Sequence, residues 1–442
     1  MRKRLTYLVE NPEVVTDNMA KALLSWDVGI VLRGKDAMPV PGTDMVSQFD
    51  CAAGFGVAAS CKPADNFFKN FEYFTDANND WILGFLGYDL KNELENLQSG
   101  NFDGLAFPEM FFFVPEVFMS IADHNLCVYY YPGKTSDLTV SKLVDDLLRV
   151  ELVANPQQPT ITFKSRYSRY EYLTQVQRIK NHIGRGDIYE MNFCQEFYTE
   201  GVSIQPARVF NRLYSNSPTP FGAFLKIGEK FLMAASPERY LRKNGNVVVS
   251  QPIKGTAPRM ALPDMDSQVV EKLKSDAKEI SENVMIVDLV RNDLSRVAVP
   301  GSVKVNELCG IYTFRQVHQM ISTVSCIVPE KLNLVEPIKA TFPMGSMTGA
   351  PKVRAMQLIE EFEKSRRGIF SGAVGYITPN KNFDFNVVIR SLLYCWQRKY
   401  LSFSVGGAIT AKSDPENEYN ECLLKAKAIL QTLNARIENV AG

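Results

Sequence analysis

The sequence predicts an α+β fold, and three observations carry that expectation. Short apolar runs of strand length alternate with turn clusters of Gly, Pro, Asn and Asp. A few longer stretches carry helical periodicity with cap residues in place. The two kinds of element follow one another irregularly, without the steady strand–helix rhythm of a Rossmann or barrel fold. At 442 residues the chain can hold two or three domains, or one large one.

In order along the chain, Val28 to Leu32 runs into an Arg-Gly turn, Trp81 to Tyr88 leads to a helix-like Leu90 to Leu97, and Cys127 to Tyr131 stops at Pro-Gly. Residues 153–160 (VANPQQPT) interrupt the pattern with two prolines and mark a boundary between an N-terminal segment, 1–152, and a second part, 153–442. Ser168 with Glu171 three residues later forms a capping box. It opens a helix along Tyr172, Leu173, Val176, Ile179 and Ile183, which Gly184 ends. Residues 188–199, 222–235 and 239–250 read as strands, the last turning at Asn244-Gly245-Asn246. One long helix is expected from about Met265 to Arg291, and strand-like runs return at 369–378, 384–397 and 400–410. Ser413-Asp414-Pro415-Glu416 reads as a second capping box, with Pro in the first turn of a final helix.

Composition excludes several classes. Lys+Arg and Asp+Glu both number 49, and this balance with no basic run argues against a nucleic-acid partner. Hydrophobic residues at 45% and charged residues at 22% rule out wholesale disorder. The most apolar stretch, Met110 to Met119, is short of the roughly 20 residues a membrane span needs, and it contains Pro115 and Glu116. The basic start MRKRLTYL is not followed by an apolar signal-peptide core. Eight Cys without CxxC spacing suggest reduced thiols in a cytoplasmic protein, and three scattered His argue against zinc.

Several constellations have chemical potential. Glu279 and Glu282 share one helix face, and Glu418 and Glu421 repeat that spacing with Lys425 beyond them. Each pair alone reads as a solvated face. Facing each other across a cleft, the pairs would form an oxygen-rich site suited to Mg²⁺. Gly345-Ser346-Met347-Thr348-Gly349-Ala350-Pro351-Lys352 is either a turn that starts a helix or an anion cradle, and Gly406-Gly407 poses the same choice. Lys254, in Gln251-Pro252-Ile253-Lys254-Gly255-Thr256, is an exposed turn lysine or a desolvated nucleophile. Glu238, in Ser236-Pro237-Glu238-Arg239, either pairs with Arg239 or stands beside Lys254 at the open end of the hairpin, an acid next to a nucleophile. His318 lies in a polar setting of Arg315, Gln316 and Gln319.

Taken in order, these segments resemble the chorismate-binding enzymes, a family that includes the large subunits of anthranilate synthase and aminodeoxychorismate synthase and the isochorismate and salicylate synthases. The resemblance is dense over about residues 165–435, through GRGDIYEMNFCQ, ASPERY, QPIKGTAPR, SENVMIVDLVRNDLSRV, FPMGSMTGAPKVRAM, GYITPNKNFDFNVVIR and AITAKSDPENEYNE. It is looser in the first third, mainly at WILGFLGYDL.

The resemblance implies two packed antiparallel β-sheets flanked by helices, with residues 1–152 woven into the core. It implies that Glu282 and Glu421 hold Mg²⁺, with Glu279 and Glu418 behind them. Chorismate's ring carboxylate would meet that ion, helped by Thr348 and the backbone at Gly406 and Gly407. Tyr376, Arg390 and Lys425 would hold the enolpyruvyl carboxylate, a planar group that suits a bidentate Arg. Glu238 matches the acid that protonates the departing C4 hydroxyl, and His318 the histidine that orients groups near it. Lys254 stands where aminodeoxychorismate synthases usually carry Lys and anthranilate synthases Ala. The implied reaction makes 4-amino-4-deoxychorismate, on the way to p-aminobenzoate and folate, with ammonia from a separate glutamine amidotransferase subunit. The length leaves no room for a fused glutaminase domain. An anthranilate synthase large subunit is the alternative. A non-catalytic chorismate-binding subunit is a third reading, opposed by the presence of Glu238 and every expected carboxylate. Two departures stand out. Glu190 replaces the Gln usual in amine-transferring members, and Ala22-Leu23-Leu24-Ser25-Trp26 lacks the Leu-Leu-Glu-Ser signature of tryptophan-binding members.

Overall fold

The computed structural model describes residues 1–34, 39–43, 49–61, 66–150 and 160–438. The boundary expected at residues 152 and 153 lies outside the described residues, as does the VANPQQPT stretch except for Thr160. Two large sheets pack face to face. The first runs Lys3–Leu8, Asn125–Tyr130, Val117–Ala122, Cys51–Phe55, Val28–Arg33, Phe221–Ile227, Lys230–Ser236, Ser391–Cys395, Tyr400–Thr410, Glu190–Thr199, Ile161–Ser165 and Ala435–Ile437. The second runs Ile253–Pro258, Val317–Ile327, Val247–Gln251, Arg239–Asn244, Phe383–Val387, Ala373–Ile377, Ile82–Leu86, Met110–Val114 and Ala59–Ser60. Pairing is antiparallel except where Ala435–Ile437 runs parallel to Ile161–Ser165. Strands from the first third lie in both sheets. Val28–Arg33 pairs with Phe221–Ile227, and Ile82–Leu86 pairs with Ala373–Ile377.

Strand alternation builds the core. Ile30, Ala52 and Leu225 enter the layer between the sheets with Phe85, Leu241 and Phe385, whereas their neighbours Val31, Ala53 and Phe224 face the helices over the first sheet. The Arg169–Gly184 helix starts with the expected reciprocal box between Ser168 and Glu171. The Leu90–Leu97 stretch is only a 3₁₀ turn followed by the short helix Lys91–Glu95.

Three local expectations are corrected. The long helix over Met265–Arg291 is two helices, Pro263–Ser275 and Ala277–Ser295. Asp276 between them is extended and accepts from the N–H groups of Lys278 and Glu279, so it caps the second helix rather than continuing the first. The final helix, Pro415–Leu433, is capped by Asp414, which accepts from Asn417 N–H, while Ser413 Oγ accepts from Thr410 N–H; no reciprocal box forms. The 384–397 run is two strands in different sheets, so the chain crosses the molecule at residues 388–390. That crossing positions Arg390.

Candidate active site

Arg239–Asn244 and Val247–Gln251 pair as the predicted hairpin, and Arg239 lies opposite Gln251 at its open end. Arg239 turns to Asp384 at 3.0 Å, which frees Glu238 from the ion pair that its sequence neighbour offered. Ile253 pairs with Ile321 and Thr256 with Gln319, so three steps on one strand match two on the other. This β-bulge falls on Lys254-Gly255, and Gly255 has φ +97°, a conformation for which glycine is suited. The bulge takes Lys254 out of the regular ladder. Asn283 Nδ2 donates to the Lys254 carbonyl at 3.2 Å and ties it to the Ala277–Ser295 helix.

Glu238 is 4% exposed, and its Oε1 accepts a 2.6 Å hydrogen bond from Ser346 Oγ. Burial pushes its carboxyl up to about 7, against the pull of Ser346, Lys254, the Ile253 N–H and Arg390. Arg390 ends the crossing, partly buried, with φ +49°. Burial pulls its guanidinium down and Glu238 opposes that. The hairpin end, the crossing and the Gly345–Met347 turn thus meet at one carboxyl group.

The two carboxylate pairs also meet. Glu282 is 8% exposed, its Oε1 accepts no hydrogen bond among the described residues, and burial pushes it up to about 7 against Lys254 and Lys278. Burial also raises Glu279, with Lys278 opposing. Lys278 Nζ lies 3.8 Å from Glu282 Oε1 and 3.6 Å from Glu418 Oε1 and so links the two helices. Burial pushes Glu421 up, but Lys425 at 2.7 Å outweighs it and holds the carboxyl below its ordinary value. A Cβ on Gly407 would stand 3.3 Å from Glu418 Oε2, 3.6 Å from Glu421 Oε1 and 3.7 Å from Lys425 Nζ, so this backbone lies against the cluster. Among the described residues no group of three or more His, Cys, Asp or Glu is placed to hold a metal ion by itself. Oxygen donors from two helices, one of them an orphaned buried oxygen, nevertheless fit a hard cation that takes its other ligands from water and substrate.

Other expected residues sit differently. The Tyr376 ring packs on Phe49 at 4.9 Å and Trp81 at 6.1 Å, and Tyr376 lies opposite Asp384 in the ladder. His318 Nε2 meets Asp266 and Nδ1 meets Thr313, each at 2.9 Å, so it pins the Pro263–Ser275 helix to the sheet. Thr348 is fully buried beside the Glu190 strand, but its hydroxyl donates to the carbonyls of Met344 and Gly345. Lys425 is engaged by Glu421 and the Gly406 carbonyl. The sequence reading gave no site role to Ser346, Lys278, Asn283 or Gln319. Gln319 lies on the strand face opposite His318, beside Thr256, with its Oε1 accepting no hydrogen bond among the described residues. Glu190, 1% exposed, has an Oε2 in the same condition, and burial raises it against Lys254. All eight cysteines are free, and among the described residues no helix is long and apolar enough to cross a membrane.

Comparisons with known proteins bear on the family and the fold. The chain is 36% identical over 357 residues to aminodeoxychorismate synthase component 1 of Klebsiella aerogenes, covering 80% of this chain and 77% of that one. It is 34% identical over 359 residues to anthranilate synthase component 1 of Thermus thermophilus, with the same coverage. Its fold matches anthranilate synthase component I of Streptococcus pneumoniae with a TM-score of 0.71 at 24% identity, over 97% of this chain and 92% of that one. It matches the menaquinone-specific isochorismate synthase of Escherichia coli with a TM-score of 0.75 at 14% identity, over 98% and 94%. Residues 46–431 match the chorismate binding enzyme family. This chain is a member of that family.

Proposed function

We propose that the chain is the large subunit of an aminodeoxychorismate synthase, aminating chorismate at C4 with ammonia from a glutamine amidotransferase partner. The observation that carries this reading is Lys254, set on a bulge beside the buried acid Glu238. The unprotonated Lys254 amine attacks C2, the ring double bonds shift, and the C4–O bond breaks. Glu238, near 7 and therefore about half protonated at neutral pH, gives its proton to the leaving hydroxyl, which departs as water. Ammonia then attacks C4, the double bonds shift back, and the C2–N bond breaks with its electron pair returning to Lys254. Arg390, the partly buried cation beside Glu238, pairs with the enolpyruvyl carboxylate. Mg²⁺ held by Glu282 and Glu421, when bound, supplies positive charge for the ring carboxylate. The component 1 names of several relatives support a separate ammonia-supplying subunit.

The similarity to anthranilate synthase component 1 keeps amination at C2, followed by pyruvate loss, as the competing reading. Purified protein with chorismate, Mg²⁺ and an ammonium salt at mildly alkaline pH separates them. The expected product yields p-aminobenzoate only when a lyase is added. Anthranilate fluorescence without lyase overturns the assignment. Lys254→Ala should abolish or greatly slow the C4 reaction, and an unchanged rate and product would remove Lys254 as nucleophile.

A further inference from the structure

Lys278 is the second residue of the Ala277–Ser295 helix, where the N-terminal dipole disfavours a cation. It is nevertheless the group that connects the two carboxylate pairs, at 3.8 Å from Glu282 and 3.6 Å from Glu418. Burial lowers its ammonium, but Glu282, Glu418, Glu421 and Glu279 outweigh that and hold it charged. Two other lysines act on the same carboxylates. Lys425 pairs with Glu421 on its own helix, and Lys254 stands on the bulge beside Glu238. Both Lys278 contacts are longer than hydrogen bonds and its side chain is 41% exposed, so it can swing into water at little cost.

We propose that Lys278 is a built-in occupant of the cation position. It neutralises the facing carboxylates while no divalent ion is present and withdraws when one enters. The inference rests on the metal site in the proposed function. It makes Lys278 a positioning residue that competes with the metal: the helices arrive already drawn together, and substrate-free affinity for the ion is kept low.

The test is Mn²⁺ titration of the substrate-free full-length chain, followed by the resonance signal of free Mn²⁺, for wild type, Lys278→Met and Lys278→Arg. Loss of the two Lys278 ion pairs, each between a partly exposed ammonium and a nearly buried carboxylate, should tighten Mn²⁺ binding about fivefold in Lys278→Met. Lys278→Arg keeps the charge and should bind like wild type. Without metal, Lys278→Met should melt lower than wild type, and Mg²⁺ should raise its Tm by more. Equal or weaker Mn²⁺ binding in a folded Lys278→Met overturns the role of Lys278 while leaving the metal site standing. If neither protein binds Mn²⁺, with or without chorismate, the metal reading itself falls, and this inference with it.

Discussion

Ser346→Ala isolates the tuning of Glu238. The Ser346 hydroxyl donates to Glu238 Oε1 at 2.6 Å with both side chains buried, and it is the first of the groups that pull the carboxyl down against burial. A hydrogen bond to a charged group is worth about 1.5–3 kcal/mol, and one pH unit corresponds to about 1.4 kcal/mol. Without that bond, Glu238 should hold its proton to a pH about one to two units higher. The assay is chorismate kcat/KM against pH at a fixed concentration of free ammonia, so that the ammonia supply does not change along the profile. In wild type, activity should fall as pH rises through about 7, because the acid is then ionised. In Ser346→Ala the fall should begin at higher pH. Stability must follow the same sign. The folded value of Glu238 lies above its ordinary 4.5, so its contribution is complete below about 4.5 and lost as pH rises through 7. The variant should therefore lose Tm relative to wild type mainly above pH 7. A basic limb at the same pH in both proteins, or shifted downward in the variant, refutes the assignment of Glu238 as an acid tuned by Ser346.

Two adjacent glycines should separate folding from binding. A Cβ on Gly406 would lie 2.1 Å from the Phe193 carbonyl oxygen and 2.7 Å from Cys194 Cα, so Gly406→Ala should force the strands apart and cost about 3 kcal/mol in urea unfolding. A Cβ on Gly407 meets only the tips of Glu418, Glu421 and Lys425, so Gly407→Ala should cost under about 1 kcal/mol of stability while raising the KM for chorismate. His318→Gln tests the tie between the sheet and the Pro263–Ser275 helix. It should lower stability by about 1–2 kcal/mol through the lost tie to Asp266, with the basic limb of the pH profile unmoved. A large loss of turnover at unchanged Tm would restore a catalytic part for His318.

What the sequence revealed of this molecule follows the range of the forces involved. The capping box at Ser168 and the hairpin turn at Asn244-Gly245 act within a few residues, and both are readable from the residue letters. The hairpin in turn makes the nearness of Glu238 and Lys254 a local deduction, which is why that pair could be named early. The break at Asp276 was also written locally, as an Asp with a Glu three residues on, but helix-forming residues on both sides concealed it. Strand phase was the harder problem. The strands bearing Tyr376 and His318 are buried along nearly their whole length, so burial does not alternate and the pattern does not say which side chain looks toward the site. Ser346 reaches Glu238 from 108 residues away and Arg390 by the crossing between sheets, and no local signal encodes either approach. The acidity of Glu238 therefore arises from long-range topology, because burial between elements distant in sequence raises it and Ser346 and Arg390 limit the rise. A motif reading can name the acid, but its strength depends on partners that only the fold brings to it.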